Sequence, residues 1–377
     1  MKKQSIQSEQ PTPRRLQSLD ALRGFDMLFI MGGAALFAAL ATLMPCSFFD
    51  AVAEQMEHVE WNGLRHHDTI FPLFLFIAGI SFPFSLEKQR MQGKSEADIW
   101  KKVIRRGLTL VLLGCIYNGL LDLDFANQRY ASVLGRIGLA WMFAALLFMK
   151  CAMRTRIGLA AGILVGYWLL LAFVPAPDGG GADPFSMEGC LVGYVDRLCL
   201  PGRLHKGIHD PEGILSILPS IVTAMLGMFT GEFIKWKNEA WNDRKKVVAM
   251  LVAGVALLVV GLVWSLVFPI NKNLWTSTFV CVVGSYSVIM FALFYYVVDV
   301  LNYRKWTLFF RVIGMNSITI YLAQCFIDFQ YTANGLFSGV VHLFPASAQP
   351  LMSAASYIAV CWIFLYILYR QKIFLKV

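Results

Sequence analysis

The chain has 377 residues, of which 57% are apolar, 14% aromatic and 15% charged, and it carries a formal net charge of +9. That apolar share excludes an ordinary soluble domain, and the length excludes a protein with a single membrane span. The positive charge needs no nucleic acid to explain it, because a polytopic membrane protein gathers Lys and Arg in its inner loops.

In chain order, residues 1–19 read as a polar cytoplasmic tail, MKKQSIQSEQPTPRRLQSL, without the apolar stretch of a cleavable signal peptide. Residues 20–377 then read as a single transmembrane domain, since no polar segment is long enough for a soluble module. A bilayer core takes about 20 apolar residues per helix. Ten candidate spans follow, near 24–44, 69–87, 104–121, 132–149, 157–174, 214–234, 247–268, 276–298, 309–327 and 351–369, with room for an eleventh. With the N-terminus inside, only Arg65, Arg129, Arg136, Arg197, Arg203, Lys206 and Lys272 among the 33 basic residues fall on the outer side. The expectation is therefore an all-α polytopic membrane protein with both termini cytoplasmic. Its principal outer loops lie near 45–68 and 175–213.

Five of the six histidines fall in those two loops: His58, His66 and His67 in the first, His205 and His209 in the second. Histidine exchanges protons near neutral pH and is a nucleophile when uncharged. A metal site from His58, His66, His67 and Asp68 is disfavoured, because adjacent side chains at a helix start diverge by about 100°. The His-x4-Asp spacing of HKGIHD, residues 205–210, is too short a pattern to carry an assignment. GGGAD at 179–183 reads as a loop turn, and neither a P-loop nor a Gly-x-Ser-x-Gly elbow is present. Cys190 and Cys199 share an outer loop, where an oxidising face would permit a disulfide.

Charges at membrane depth must face protein or water. Asp20, Arg23 and Asp26 follow an i, i+3, i+6 spacing in the first span, and Arg136 lies one turn into the fourth. Either they lock helices together or, with Arg14, Arg15, Arg105 and Arg106, they form a basic inner mouth suited to a phosphorylated ligand. Lipid headgroups would be held by the same residues. Thr223, Gly227 and Gly231 keep a small-x3-small spacing that lets two helices approach closely, within or between chains.

Several blocks also carry a resemblance: SLDALRGFDM, HVEWNGLRHHDTIFPLFLFIAGIS, VLGRIGLAW, DPEGILSILPSI and NLWTSTFV, in that order from Ser18 to Val280, with GMNSITIYL extending it to Leu322. The chain resembles bacterial members of the transmembrane heparan-α-glucosaminide N-acetyltransferase family. The resemblance implies transfer of acetyl from cytoplasmic acetyl-CoA to the free amine of a glucosamine-type sugar or glycan on the outer face, with no metal. It implies the bacterial inner membrane as location, lipid as surroundings and a homodimer as assembly. His58, before the Trp-Asn-Gly block, matches the family's catalytic histidine. Asn62 becomes a candidate hydrogen-bonding partner, and Asp210 a candidate for orienting His58. Arg23, Arg105, Arg106 and Arg136 become candidates for CoA, and Trp61, Glu212 and Trp275 for the sugar. His66, His67 and Asp68 are expected to shape the entrance only. Gly135 before Arg136 and Met31 before Gly32 depart from the family pattern. An O-acyltransferase of envelope polysaccharide, or an amino-sugar or glycan transporter, remains an alternative on these residues.

Overall fold

The computed structural model describes residues 16–375, which are helical apart from loops and one isolated bridge between Arg129 and Gly202. The tail expected at 1–19 falls mostly outside the described residues, Arg14 and Arg15 included. Among the described residues, eight helices are long and apolar enough to cross a membrane: Gln17–Leu43, His66–Met91, Val133–Lys150, Met153–Phe173, Ile217–Lys235, Asp243–Trp264, Ser277–Val300 and Gln349–Arg370. Thr307–Met315 and Ser317–Phe326, bent by 66° between them, make a ninth when counted as one broken span.

Against the ten spans expected, the described residues show eight helices that meet both requirements, or nine with the broken pair. The segment expected at 104–121 does form a helix, Glu96–Tyr117, 22 residues long. Lys101, Lys102, Arg105 and Arg106 load its first half with charge, so it falls short on composition. At 309–327 the expected single helix is interrupted at Asn316, whose backbone leaves helical geometry (φ −124°, ψ 27°).

Helix starts follow local chemistry. Ser95, Ser132, Asn242 and Thr276 each accept a hydrogen bond from a backbone N–H of the first turn, which satisfies donors the helix itself cannot pair. The central layer packs His66–Met91 against Ile217–Lys235 at very short range. A Cβ on Gly227 would meet the Phe76 carbonyl oxygen at 2.0 Å, and one on Gly79 would meet the Ala224 carbonyl oxygen at 2.2 Å. The small-residue spacing at 223, 227 and 231 therefore serves packing within this chain. Around that seam lies a core containing Phe71, Leu75, Trp141, Met225, Trp275 and Phe279.

At one end of the bundle the long loop carries a short helix, Leu191–Cys199. The disulfide permitted there is not formed: Cys190 is buried with its Sγ 3.9 Å from His209 Nδ1, while Cys199 is exposed at the other end of the short helix. Asp196 on this helix is fully buried and accepts the Ile214 N–H at 2.9 Å. Burial raises its pKa to about 7, against the Ile214 hydrogen bond and the Arg136 charge.

Two predictions follow from these contacts. Gly227→Val should lower the melting temperature in detergent, by the equivalent of about 1–3 kcal/mol, because the seam cannot widen without losing contacts along both helices; differential scanning fluorimetry reads this. A carboxyl whose folded pKa is raised stabilises below its unfolded value and loses that contribution as pH rises to the folded value. The Asp196 contribution should therefore fall between pH 3.8 and about 7, by at most about 1.4 kcal/mol per pH unit. Asp196→Asn should flatten the melting temperature across that window.

Candidate active site

The segment between the short helix Ser47–Glu54 and the helix beginning at His66 is a loop, and hydrogen bonds fix it to two others. The Gly63 N–H donates to the Ile270 carbonyl at 2.8 Å, and Asn271 Nδ2 donates to Asn62 Oδ1 at 3.0 Å. Lys206 Nζ donates to the Glu60 carbonyl at 2.8 Å, and Trp61 Nε1 to the Phe185 carbonyl at 2.7 Å. The facing loop, 269–276, is itself braced: Asn271 Oδ1 accepts the Leu274 N–H, and the Asn271 N–H donates to Thr276 Oγ1. Trp275 takes a left-handed backbone there (φ 52°), which a residue of its bulk adopts only where packing holds it. Its ring is fully buried between Phe71 and Phe279, with Nε1 donating to Thr223.

This bracing presents His58, whose side chain is 54% exposed, to a carboxylate that is 1% exposed. His58 Nδ1 lies 2.7 Å from Asp68 Oδ1. An ionised carboxylate only accepts, so a contact that short places a proton on Nδ1, and in the uncharged ring Nε2 is then the free base. Asp68 Oδ2 accepts the Arg65 N–H at 3.1 Å and the Val59 N–H at 3.4 Å. Lys272 Nζ adds a contact to Oδ1 at 3.2 Å. Burial holds the Lys272 pKa below the ordinary lysine value, although Asp68 and Glu212 favour its charge. Among the described residues no group of three or more His, Cys, Asp or Glu is arranged to hold a metal ion.

The other histidines have separate environments. His67 packs its ring edge-on against His58, with centroids 4.5 Å apart, and His66 Nε2 meets the Tyr286 hydroxyl at 3.1 Å. His209 is buried, with Nε2 3.2 Å from the Asn273 carbonyl, and burial lowers its pKa to about 4, so it is neutral. His205 meets Asp210 through its backbone N–H, and its ring lines an outer cavity of about 550 Å³.

Apart from Arg105, the residues anticipated from sequence fall into four groups. His58, Trp61 and Asn62 share the braced loop, yet Asn62 faces Asn271, and Trp61 stands under Lys206, whose Nζ is 5.6 Å from its ring centroid. Asp210 and Glu212 gather on Arg129: its Nε and Nη2 reach the two Asp210 oxygens at 2.8 and 2.7 Å, and Nη2 also meets Glu212. Burial alone would raise Asp210, but these bonds hold its pKa below the ordinary aspartate value. Asp210 is thus locked to Arg129, and the position by His58 expected for it is filled by Asp68. Arg136 is buried beneath Trp275, 4.8 Å from the ring centroid, and bonds Ser216. Trp275, expected at an accessible helix edge, is a core side chain because its loop folds it inward.

Arg23 and Arg106 form the fourth group, both lining a cavity of about 290 Å³ with Met27, Phe71, Phe74 and the broken-helix residues 314–319. Arg106 also covers the face of Trp141 at 4.3 Å. Arg105 is separate; it lines a shallow surface groove with Lys101 and Leu108. Phe71 ties the cavity to the histidine, because it sits three residues beyond Asp68 on the same helix, about 4.5 Å along the axis. Sequence reasoning placed Asp68 only at the entrance and did not single out Lys272. The signal for Lys272 was its rarity, as one of few basic residues expected outside, directly before the NLW block.

A family model described as heparan-alpha-glucosaminide N-acetyltransferase, catalytic, matches residues 15–246. The human heparan-alpha-glucosaminide N-acetyltransferase is 29% identical over 425 aligned positions, covering 97% of this chain and 60% of the human protein. Its mouse counterpart is 26% identical, with coverages of 98% and 62%. The chain therefore spans about three-fifths of the length of these curated relatives. With its matched region extending over more than half of the chain and holding His58, Asp68 and the arginine-lined helices, the protein belongs to the heparan-alpha-glucosaminide N-acetyltransferase catalytic family.

Proposed function

We propose that this chain moves an acetyl group from acetyl-CoA, taken up at the end bearing Arg23 and Arg106, to the free amine of a glucosamine-type sugar at the end bearing His58. The observation that carries the reading is the exposed His58 ring paired to buried Asp68 at the head of a helix whose next turn brings Phe71 to the wall of the arginine-lined cavity. Acyl transfer to an amine needs a group that accepts a proton from nitrogen. As the amine nitrogen bonds to the thioester carbon, the C–S bond breaks, His58 Nε2 takes the proton, and the departing thiolate receives it back. Asp68 stabilises the transient imidazolium through the Nδ1–H it already holds. A route through acetyl-histidine would use the same Nε2 atom.

The cavity chemistry suits the donor. Arg23 and Arg106 offer planar charged donors to phosphates, while Met27, Phe71 and Phe74 supply an apolar channel for the thin pantetheine arm. Arg105, with Lys101 and Leu108 beside it, is assigned to lipid headgroups. Trp61 and Glu212 are assigned to the acceptor side, with Lys206 and Arg129 holding them in place. Arg136 and Trp275 act from the core, by supporting the braced loop. The basic end, which also holds the Arg156–Glu232 and Lys235–Glu87 pairs, faces the cytoplasm of a bacterium by the bias of positive loops, with both termini on that side.

His58→Ala should reduce acetylation of glucosamine by purified protein at least 100-fold, and Asp68→Asn at least 10-fold, with thermal stability followed in parallel. Full activity in His58→Ala would reject the assignment. Radiolabelled acetyl-CoA without acceptor tests the acetyl-histidine route: label retained by the parent chain and absent from His58→Ala supports it, and no retained label supports direct transfer.

A further inference from the structure

Lys272 reaches the proposed base in an unusual way. Its Nζ lies 3.0 Å from His58 Nδ1 and 3.5 Å from Nε2. The two ring nitrogens flank Cε1, so an ammonium approaching both within the ring plane would collide with that carbon. The distances therefore place Nζ over the face of the imidazole. The in-plane position at Nδ1 is taken by Asp68 at 2.7 Å, and Lys272 also contacts that Asp68 oxygen at 3.2 Å. A single ammonium thus touches both members of the pair.

The position is built into the fold. The Lys272 carbonyl accepts the Trp275 N–H at 3.0 Å, and the loop that bears it is joined to the His58 loop through Asn271–Asn62 and Gly63–Ile270. The side chain is 15% exposed, so solvent screens its charge only partly. Other charged or titratable groups also face this cluster. His67 packs against the His58 ring, Arg65 donates to the His58 carbonyl at 3.3 Å and pairs with Glu57, and Glu212 and Arg136 act on Lys272 from further away. Of these, Lys272 alone is shown with its charged atom within 3.5 Å of both ring nitrogens.

We propose that Lys272 is a positioning residue for acyl transfer: its ammonium, over the ring face and paired to Asp68, disfavours a charged His58 and keeps the imidazole ready to accept a proton. The physical reason is like-charge repulsion, which opposes the imidazolium form. Pairing with Lys272 also draws Asp68 away from overstabilising the imidazolium. The idea rests on His58 being the reacting group, so its test must not depend on turnover alone.

Diethylpyrocarbonate modifies uncharged imidazole, and peptide mass spectrometry can follow its rate at each histidine of the full-length protein in detergent as pH is varied. In Lys272→Met the midpoint for His58 should move to higher pH by about one unit, whereas Lys272→Arg should keep the parent midpoint. Exposed His205 is an internal control whose midpoint should not move. Asp68→Asn, which keeps the ammonium and removes the carboxylate, should shift the His58 midpoint to lower pH and provides a second route if Lys272→Met fails to fold. A Lys272→Met curve superimposed on the parent, or an upward shift in Asp68→Asn, would overturn the proposal. Loss of acetylation in Lys272→Met with an unmoved midpoint would also overturn it. An upward midpoint in a protein whose His58→Ala form still acetylates would leave Lys272 as proposed and refute the reading of His58.

Discussion

The His58 end of this molecule is organised by one buried carboxylate. Asp68 sits at the head of the helix His66–Met91 with its side chain 1% exposed, and a charge so placed must be fully paired to be tolerated. Four donors pair it: the His58 ring, the Val59 and Arg65 backbone N–H groups and the Lys272 ammonium. The donors come from three stretches of chain, at 58–59, 65 and 272, so satisfying the charge also sets the geometry of the site. The Arg65 bond caps the beginning of the helix and the Val59 bond holds the loop to it, while the histidine and lysine contacts define the chemistry. A purely capping aspartate would need neither the histidine nor the lysine.

The same helix joins that cluster to the arginine-lined cavity. Asp68 leads to Phe71, which packs on Trp275 and lines the cavity with Arg23 and Arg106. Further along, Gly79 is pressed against Ile217–Lys235 so closely that no side chain fits between their backbones. A seam of that kind holds the helix rigidly along its length. Opposite it, the chain is broken at Asn316, and the residues around the break line the cavity. A continuous helix would present side chains alone at that point; the break brings backbone groups to the wall, as is tolerated in a membrane only beside protein or a cavity.

Much of this was legible in the sequence because the physics was local. Apolar runs announced the helices, and the small-residue spacing at 223, 227 and 231 announced a close helix pair. The Trp-Asn-Gly block singled out His58. What was not legible depends on how distant loops fold onto one another. Asp210 and Asp68 both sit near an outer helix start with similar neighbours, and nothing local reveals that Arg129 takes one while His58 takes the other. Trp275 reads as an interfacial tryptophan until a left-handed turn carries it into the core. Lys272 reads as one outer-loop lysine, and only the hydrogen bonds between two loops place it over an imidazole. The segment near 104–121 is the hardest to read: Glu96–Tyr117 has the length of a crossing helix but carries four basic residues in its first half, and length and composition are separate requirements.

The position of the titratable cluster at the membrane boundary follows from the conflicting needs of its parts. A base must remain uncharged until it is used, which favours a site with little water and a cation nearby. In the proposed reaction an amine acceptor arrives hydrated and a released proton must depart, which favours exposure. His58 is half exposed while Asp68 and Lys272, which govern its charge, are withdrawn. Buried deeper, the ion pair would have to meet a larger desolvation cost with no further donors at hand. Placed further out, the lysine would be screened and would lose its hold on the ring. The first turn of a membrane helix, braced by two loops, is where one lysine and one aspartate can set the charge of a histidine that still reaches solvent.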